Sequence, residues 1–269
     1  MKTAVVIGAN GFLGSALVKK LISENQKVIA VYNLHYDNVD SRAIVLNNEE
    51  FLNSTFEIDY FYFLSGNYTN SHNQLLEINF DLFRYIKKYP NTKFIYISST
   101  NVYGTHSSDI TENSSFNNPS LYAQFKLSGE FLVSSLKNYS IVRLTYLYGP
   151  RITNSSFLPA IIKQAKEKLI ININGNGERY QDYLYIDDAV EIVFLTSKIS
   201  ENRIFLAASG TKTTNKEAAS LISKFTGCKV NYIGDEQSPS YGFDPSKSLA
   251  ILKWKPKIKF EIGLLKMLE

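Results

Sequence analysis

The stretch TAVVIGANGFLGSALVKKLISEN, residues 3–25, carries three signals in close succession. Val5, Val6 and Ile7 form a continuous β-branched apolar run, as expected of a strand buried on both faces of a parallel sheet. Leu13, Leu17, Leu21 and Ile22 then recur at helical spacing. Between them stand Gly8, Gly11 and Gly14. Glycine suits this junction for three reasons: the chain must turn sharply, its backbone must come close to a ligand, and helix must pack tightly on strand. A helix N-terminus directly after such a turn offers free N–H groups and the positive end of its dipole to a phosphate. The plainer alternative is a glycine-rich turn without a ligand.

The same rhythm continues outward. KVIAVYN (27–33), IDYFYFLSG (58–66), TKFIYISST (92–100) and YSIVRLTYLYG (139–149) read as strands. NQLLEINFDLFRYIKKY (73–89) and SLYAQFKLSGEFLVSSLKN (120–138) read as amphipathic helices. This alternation predicts an α/β fold, a doubly wound parallel sheet with helices on both faces. After Gly149-Pro150 the rhythm changes. Helices are expected over 157–170 and 215–227 and at two closing segments (244–256, 259–269), with a glycine loop near 175–177. We expect residues 1–150 to form the first domain. Residues 151–269 are expected to form mainly a smaller α+β lobe, with some segments returning to the first. The polar stretch 106–120 is a loop long enough to be functional.

Composition narrows the function classes. The 269 residues are 44% hydrophobic and 20% charged, enough for a sizeable core. A net charge of +4 without a dense basic run gives no nucleic-acid footprint. The N-terminal apolar run is broken by Gly8, Asn10 and Gly11, too early for a signal peptide. No stretch approaches the length of a membrane-spanning helix. A lone cysteine, Cys228, forms no disulfide within one chain, in keeping with a reducing cytoplasm. His35, His72 and His106 lack metal-ligand spacing, so no metal is expected. The chain holds 18 Tyr and 17 Phe against one Trp; most of these rings belong in the core, with some free to stack on a base or sugar.

The form GANGFLG, at the end of the first strand, resembles the glycine signature of the extended short-chain dehydrogenase/reductase superfamily. The resemblance implies a Rossmann-type coenzyme domain, with Gly8, Asn10, Gly11, Phe12, Leu13 and Gly14 at the coenzyme. Further segments match. FIYISSTNVYG (94–104) resembles the strand and VYG signature that carries the family's catalytic hydroxyl, here Ser99, flanked by Ser98 and Thr100. Tyr122 and Lys126 follow in family order. YFLSGNY (62–68) resembles the segment lining the nicotinamide side, implicating Leu64, Ser65 and Gly66, and Asn79 matches a frequent helix asparagine. RLTYLYGPR (143–151), GNGERYQDYLYIDDA (175–189) and the tail LKWKPKIKFEIGLLKML (252–268) extend the resemblance over essentially the whole chain. It is nearest to the nucleotide-sugar epimerases, 4,6-dehydratases and 4-ketoreductases.

The chemistry accounts for the residue types. Hydride transfer at a sugar carbon requires a proton at the attached oxygen. A phenol near pH 7 is helped by a neighbouring ammonium, which favours phenolate. Helical i, i+4 spacing places Lys126 on the face of Tyr122. By resemblance Lys126 also holds the nicotinamide ribose, and Ser99 orients the reacting oxygen. Tyr122 or Lys126 alone would read as a solvated helix face, and Ser99 as an ordinary strand end. At the second strand's end, Tyr32 and Asn33 stand where NAD-preferring folds place a carboxylate. With His35 and Arg42 nearby, the reading leans slightly to NADP(H) over NAD(H).

Departures from the family narrow the reaction. Thr100 and Asn101 replace the Asp-Glu pair of the dehydratases. Asn101 also stands at the Cys position of the 3,5-epimerase-reductases, and no His lies in the second lobe. Tyr146 and Gln181 replace an Asn and an Arg that meet the diphosphate in relatives; Arg151 and Arg179 are the substitutes for that charge. Thr100, Asn101, Tyr146, Arg151, Arg179 and Gln181 are therefore the candidate substrate contacts. The expected function is a 4-ketoreductase on a nucleotide-activated sugar. The alternatives are an NAD-dependent 4-epimerase, which would retain its coenzyme, and a non-catalytic coenzyme-binding regulator. A homodimer is implied by resemblance only.

Overall fold

The computed structural model describes residues 1–33, 35–66 and 71–269. Leu34 lies outside these residues, as do Asn67 and Tyr68, the end of the YFLSGNY segment. The elements run β1 (Thr3–Ile7), α1 (Phe12–Ser23), β2 (Lys27–Tyr32), β3 (Ile44–Asn47), α2 (Asn48–Leu52), β4 (Tyr60–Phe63), α3 (His72–Lys88), β5 (Lys93–Ser99), α4 (Leu121–Ser134), β6 (Tyr139–Leu144) and β7 (Tyr146–Tyr148). They continue α5 (Phe157–Lys168), β8 (Ile170–Asn174), β9 (Tyr180–Tyr185), α6 (Ile186–Thr196), β10 (Arg203–Ala207), β11 (Lys212–Thr214), α7 (Asn215–Thr226), β12 (Lys229–Ile233), α8 (Ser246–Leu252) and α9 (Phe260–Leu268).

Seven strands form one parallel sheet in the order β10-β6-β5-β4-β1-β2-β3. Alternate residues of β1 serve the two faces. Ala4 and Val6 pack with Leu13, Leu17 and Leu21 of α1 and with α6 residues such as Val190. Val5 and Ile7 pack with Phe61, Phe63, Leu82, Tyr85 and Val133. Apolar side chains are thus needed in both registers, which is why these strands read as unbroken runs. Strand order reverses between β1 and β4, and ligands of open α/β sheets bind at the carboxyl ends beside such a reversal.

The later chain adds β10 to this sheet. It also makes two small sheets, β11-β9-β7 and β12-β8. The segment 139–149 forms two strands where one was expected. β6 pairs in the large sheet, but the chain leaves it at Thr145, whose hydroxyl donates to the Asp182 carbonyl at 3.0 Å, and β7 then pairs with β9. β3, α2 and the edge strand β10 were not anticipated. β3 is short and half-buried, with Asn47 at its end capping α2, so its pattern is weak. Among the described residues no helix is long and apolar enough to cross a membrane.

Candidate active site

The glycine turn has the geometry its composition demands. Gly8 takes φ +82°, which L side chains rarely adopt. A Cβ at Gly14 would strike the Gly8 carbonyl oxygen, so α1 crosses β1 at backbone contact. Gly8 and Ala9 donate to the Val31 carbonyl at 3.0 and 3.1 Å, which locks the turn to β2. At the carboxyl ends of β1, β2 and β4 lies a cavity of about 240 Å³ lined by Gly8, Asn10, Gly11, Tyr32, Asn33, Leu64, Ser65 and Gly66 among others. Eight of the expected coenzyme residues therefore converge. Phe12, Leu13 and Gly14 do not line the cavity. Leu13 is in the core, and Phe12 packs against that core. As the opening residues of α1, all three offer backbone N–H groups that no helical carbonyl accepts.

The cavity also has residues the sequence reading missed. Asn48, Asp81 and Tyr85 line it as well. Asn48 donates to Asp81 at 2.9 Å and accepts from the Tyr85 hydroxyl, while Arg84 bridges Asp81 and Glu49. This chain of contacts joins α2 to α3. In sequence these polar residues look like ordinary helix surface. Arg42 does not reach the cavity lining; it grips Asp40 through two hydrogen bonds of 2.9 and 2.7 Å.

Toward the sheet centre stands the α4 helix. Ser120 caps it, accepting from the Ala123 N–H. Lys126 is buried although cationic, with 7% of its surface exposed. Its ammonium donates to the carbonyls of Ser65 (3.2 Å) and Ile97 (3.0 Å), joining the end of β4 to β5. It lies 6.0 Å from the Tyr122 ring centroid and 5.2 Å from that of Tyr96. Burial pulls its pKa down to about 8, with Glu130 opposing the shift. A Cβ at Gly66 would sit 2.9 Å from the Lys126 ammonium, so a side chain there would displace that group. Asn79 on α3 donates to the Phe125 carbonyl at 3.0 Å and so braces α4 next to Lys126. Tyr122, Lys126, Asn79, Gly66 and Tyr96 share one small crevice. Tyr96, like Glu130, was missed: inside FIYISS its ring reads as core, which it also is.

Ser99 ends β5. Its hydroxyl oxygen accepts from the Asn101 N–H at 3.2 Å, capping a single 3-10 turn over Thr100–Tyr103. Using the oxygen as acceptor leaves the hydroxyl hydrogen available as a donor. Its neighbour Ser98 faces the opposite way and donates to Glu130, and Thr100 is buried.

The candidate substrate residues divide. Gln181 is buried, and its amide oxygen accepts from the Arg179 guanidinium, one contact being 2.8 Å. Arg179 also donates to the Pro239 carbonyl at 3.1 Å. The Arg179 cation thus rests on the Gln181 side chain. The Tyr146 ring lies tilted against that of Tyr183, with 6.3 Å between centroids. Arg151 lines a separate cavity of about 280 Å³ with Lys163 and Lys166, which neither Arg179 nor Gln181 lines. Asp182, next to Gln181, is buried and accepts from the N–H groups of Ser209, Gly210 and Thr211 at 2.8, 2.7 and 3.1 Å. Burial outweighs these bonds and pushes its pKa up to about 6.

A parallel sheet with a glycine turn at its reversal and a helix carrying Tyr122 and the buried Lys126 beside it marks an extended short-chain dehydrogenase/reductase. Residues 4–206 match the model of the NAD dependent epimerase/dehydratase family, and the chain belongs to that family. Over 98% of its length it is 25% identical to a GDP-L-fucose synthase of Sinorhizobium fredii, covering 93% of that protein. It is 23% identical to dTDP-glucose 4,6-dehydratase of Escherichia coli, covering 98% of this chain and 91% of that protein. The structure of UDP-glucose 4-epimerase from Thermotoga maritima with UDP-glucose superposes with a TM-score of 0.87 at 25% identity, covering 99% and 97% of the two chains. The NAD complex of Bacillus anthracis dTDP-glucose 4,6-dehydratase superposes with a TM-score of 0.88 at 20% identity, covering 100% and 96%. The family comprises NAD-dependent nucleotide-sugar epimerases, dehydratases and reductases.

Proposed function

We propose that the protein is an NAD(P)(H)-dependent oxidoreductase that reduces the C4 ketone of a nucleotide-activated deoxy sugar. The observation that carries this reading is the buried Lys126 beside Tyr122, with Thr100 and Asn101 following Ser99 where a dehydratase has two acids. In this reading residues 1–150 seat the coenzyme and 151–269 mainly the sugar nucleotide. A bound reduced nicotinamide supplies the hydride. Tyr122 gives its phenolic proton to the carbonyl oxygen, and Ser99 donates a hydrogen bond to the same atom. Lys126 stabilises the phenolate left behind and holds the nicotinamide ribose. Arg179, steadied by Gln181, pairs with the diphosphate, and Tyr146 lines the sugar subsite. Neither Tyr32 nor Asn33 repels a 2′-phosphate. With Arg42 committed to Asp40, the preference for NADP(H) over NAD(H) is slight.

A 4-epimerase uses the same three residues, and the likeness to the Thermotoga maritima enzyme favours it as the second reading. The test is mass spectrometry of the coenzyme and sugar nucleotide that co-purify, followed by assay with a nucleotide 4-keto-6-deoxy sugar. Stoichiometric consumption of added NAD(P)H supports the reductase. Tightly held NAD(H) with interconversion of C4 epimers and no net consumption supports the epimerase. Neither activity in any sugar nucleotide tested would leave the regulator.

Leu76, Phe80, Phe83 and Phe131 stand exposed on α3 and α4, Phe131 at 71%. We propose that a second copy covers them. Light scattering on Phe80→Glu/Phe131→Glu should then report a monomer where the unaltered protein is a dimer.

A further inference from the structure

Glu130 lies one helical turn beyond Lys126 on α4 and is buried with 5% of its surface exposed. It accepts from Arg143 at 2.9 Å (Nε) and 2.6 Å (Nη2), and from the Ser98 hydroxyl at 2.5 Å. Arg143, on β6, is as buried as its partner, and its guanidinium stacks 4.8 Å from the Tyr103 ring centroid and 5.2 Å from that of Phe116. A buried ion pair is a poor source of stability, since desolvation consumes most of the Coulombic gain and apolar residues of equal volume do as well. Its location is more telling. Ser98 is adjacent to Ser99, and Glu130 shares a helix with Tyr122 and Lys126. Arg143 begins the segment leading to Tyr146, and its ring partners bracket the 104–115 loop. One carboxylate ties together the elements that carry every proposed reacting group.

We propose that Glu130 is a positioning residue that fixes α4 against β5 and supplies the negative charge that keeps Lys126 an ammonium in its buried setting. The proposal rests on the reading of Tyr122 and Lys126 as the reacting pair. The groups facing Lys126 are few. From β5 come Tyr96 and the Ile97 carbonyl, and from the end of β4 the Ser65 carbonyl. From α4 itself come Tyr122 and Glu130; α3 contributes the uncharged Asn79 brace. Burial keeps Tyr96 protonated by raising its pKa well above the ordinary value. Glu130 is then the one anion among the described groups that holds the Lys126 proton, and Arg143 is the cation paired with it.

Three variants separate charge from shape. Glu130→Gln keeps the shape and removes the charge. Glu130→Asp keeps the charge and shortens the reach. Glu130→Gln/Arg143→Met removes both charges, so that no unpaired guanidinium stays buried. Two readouts are needed: the basic inflection of kcat/KM against pH, and the pH dependence of NAD(P)H affinity by fluorescence titration, which requires no sugar substrate. Thermal melts report folding.

The expected result is a basic inflection lowered by about 0.5–1 pH unit, in both readouts, for the single Gln variant and the double variant. Glu130→Asp should keep the inflection of the unaltered protein despite a lower melting temperature. An unchanged inflection in the double variant, or an equal shift in Glu130→Asp, would overturn the assignment of charge to Glu130. If no sugar substrate turns over but the coenzyme titration shifts as stated, the functional reading fails and the role of Glu130 stands.

Discussion

Two buried carboxylates, Glu130 and Asp182, are satisfied in opposite ways. Glu130, beneath the coenzyme side, is matched by a guanidinium that cannot lose its charge. Asp182, in the lobe proposed to seat the sugar nucleotide, is matched by three backbone amides and the Ser209 side chain, and burial raises its pKa to about 6. Amides lend partial charge, not a counter-ion, so desolvation prevails. The floor of the site, β4, β5 and α4, is thus pinned by full charges. The proposed cover, β9 and the 209–211 turn, is held by dipoles and stays sensitive to protonation. The contrast suits a reaction in which proton transfer demands fixed geometry while one region must admit and release a sugar nucleotide.

The largest effect belongs to the floor. Tyr122→Phe should lower kcat by about 10²–10⁴-fold, the usual worth of a positioned acid, while coenzyme affinity by fluorescence changes little. Retained turnover would remove Tyr122 from the proton path and with it the distinction between floor and cover. On the cover, Arg179→Ala should raise KM for the sugar nucleotide by roughly tenfold or more, with kcat nearly unchanged, through loss of a charged hydrogen bond. Gln181→Ala should give a smaller rise in KM, because Arg179 keeps its Pro239 contact. If Arg179→Ala instead depressed kcat alone, the guanidinium would belong with the floor.

Asp182→Asn tests the cover directly. An amide cannot accept from all three donors, so a loss of roughly 1–3 kcal/mol is expected from unfolding curves. The sign of its pH dependence is fixed. The folded-state pKa, about 6, lies above the ordinary 3.8, so the folded chain takes up a proton at Asp182 as pH falls through that window, adding stability. The stability gap between the unaltered protein and Asp182→Asn should therefore narrow as pH rises from about 4 to 6 and stay constant above. A gap independent of pH would show that Asp182 is as firmly compensated as Glu130.

Legibility in the sequence follows the same divide. The coenzyme side was readable because each constraint was local. Gly8 and Gly14 answer steric demands made by immediate neighbours, and Tyr122 and Lys126 are one helical turn apart. The branch of the fold at Thr145 was not readable, because β7 leaves the large sheet for β9, whose partner residues lie well over thirty positions away in sequence. Glu130 was visible one turn after Lys126, yet a charged helix residue ordinarily reads as solvated. Its burial depends on Arg143 from another strand. Asn48, Asp81 and Tyr85 were hidden for the same reason. Arg179 and Gln181 are two residues apart and were singled out separately; the structure shows the one resting on the other.

The smallest effect concerns the coenzyme. The unaltered protein should favour NADPH over NADH only a few-fold in affinity, since neither Tyr32 nor Asn33 is a carboxylate that would repel the 2′-phosphate, and the guanidinium of Arg42 is held by Asp40. Asn33→Asp places a carboxylate at that edge, where it accepts from ribose hydroxyls and repels the phosphate. Paired fluorescence titrations should then show the ratio reversed in favour of NADH, with Lys126 and the floor untouched and kcat nearly constant. A ratio that does not move would mean that Asn33 lies away from the adenosine ribose and does not set the coenzyme choice.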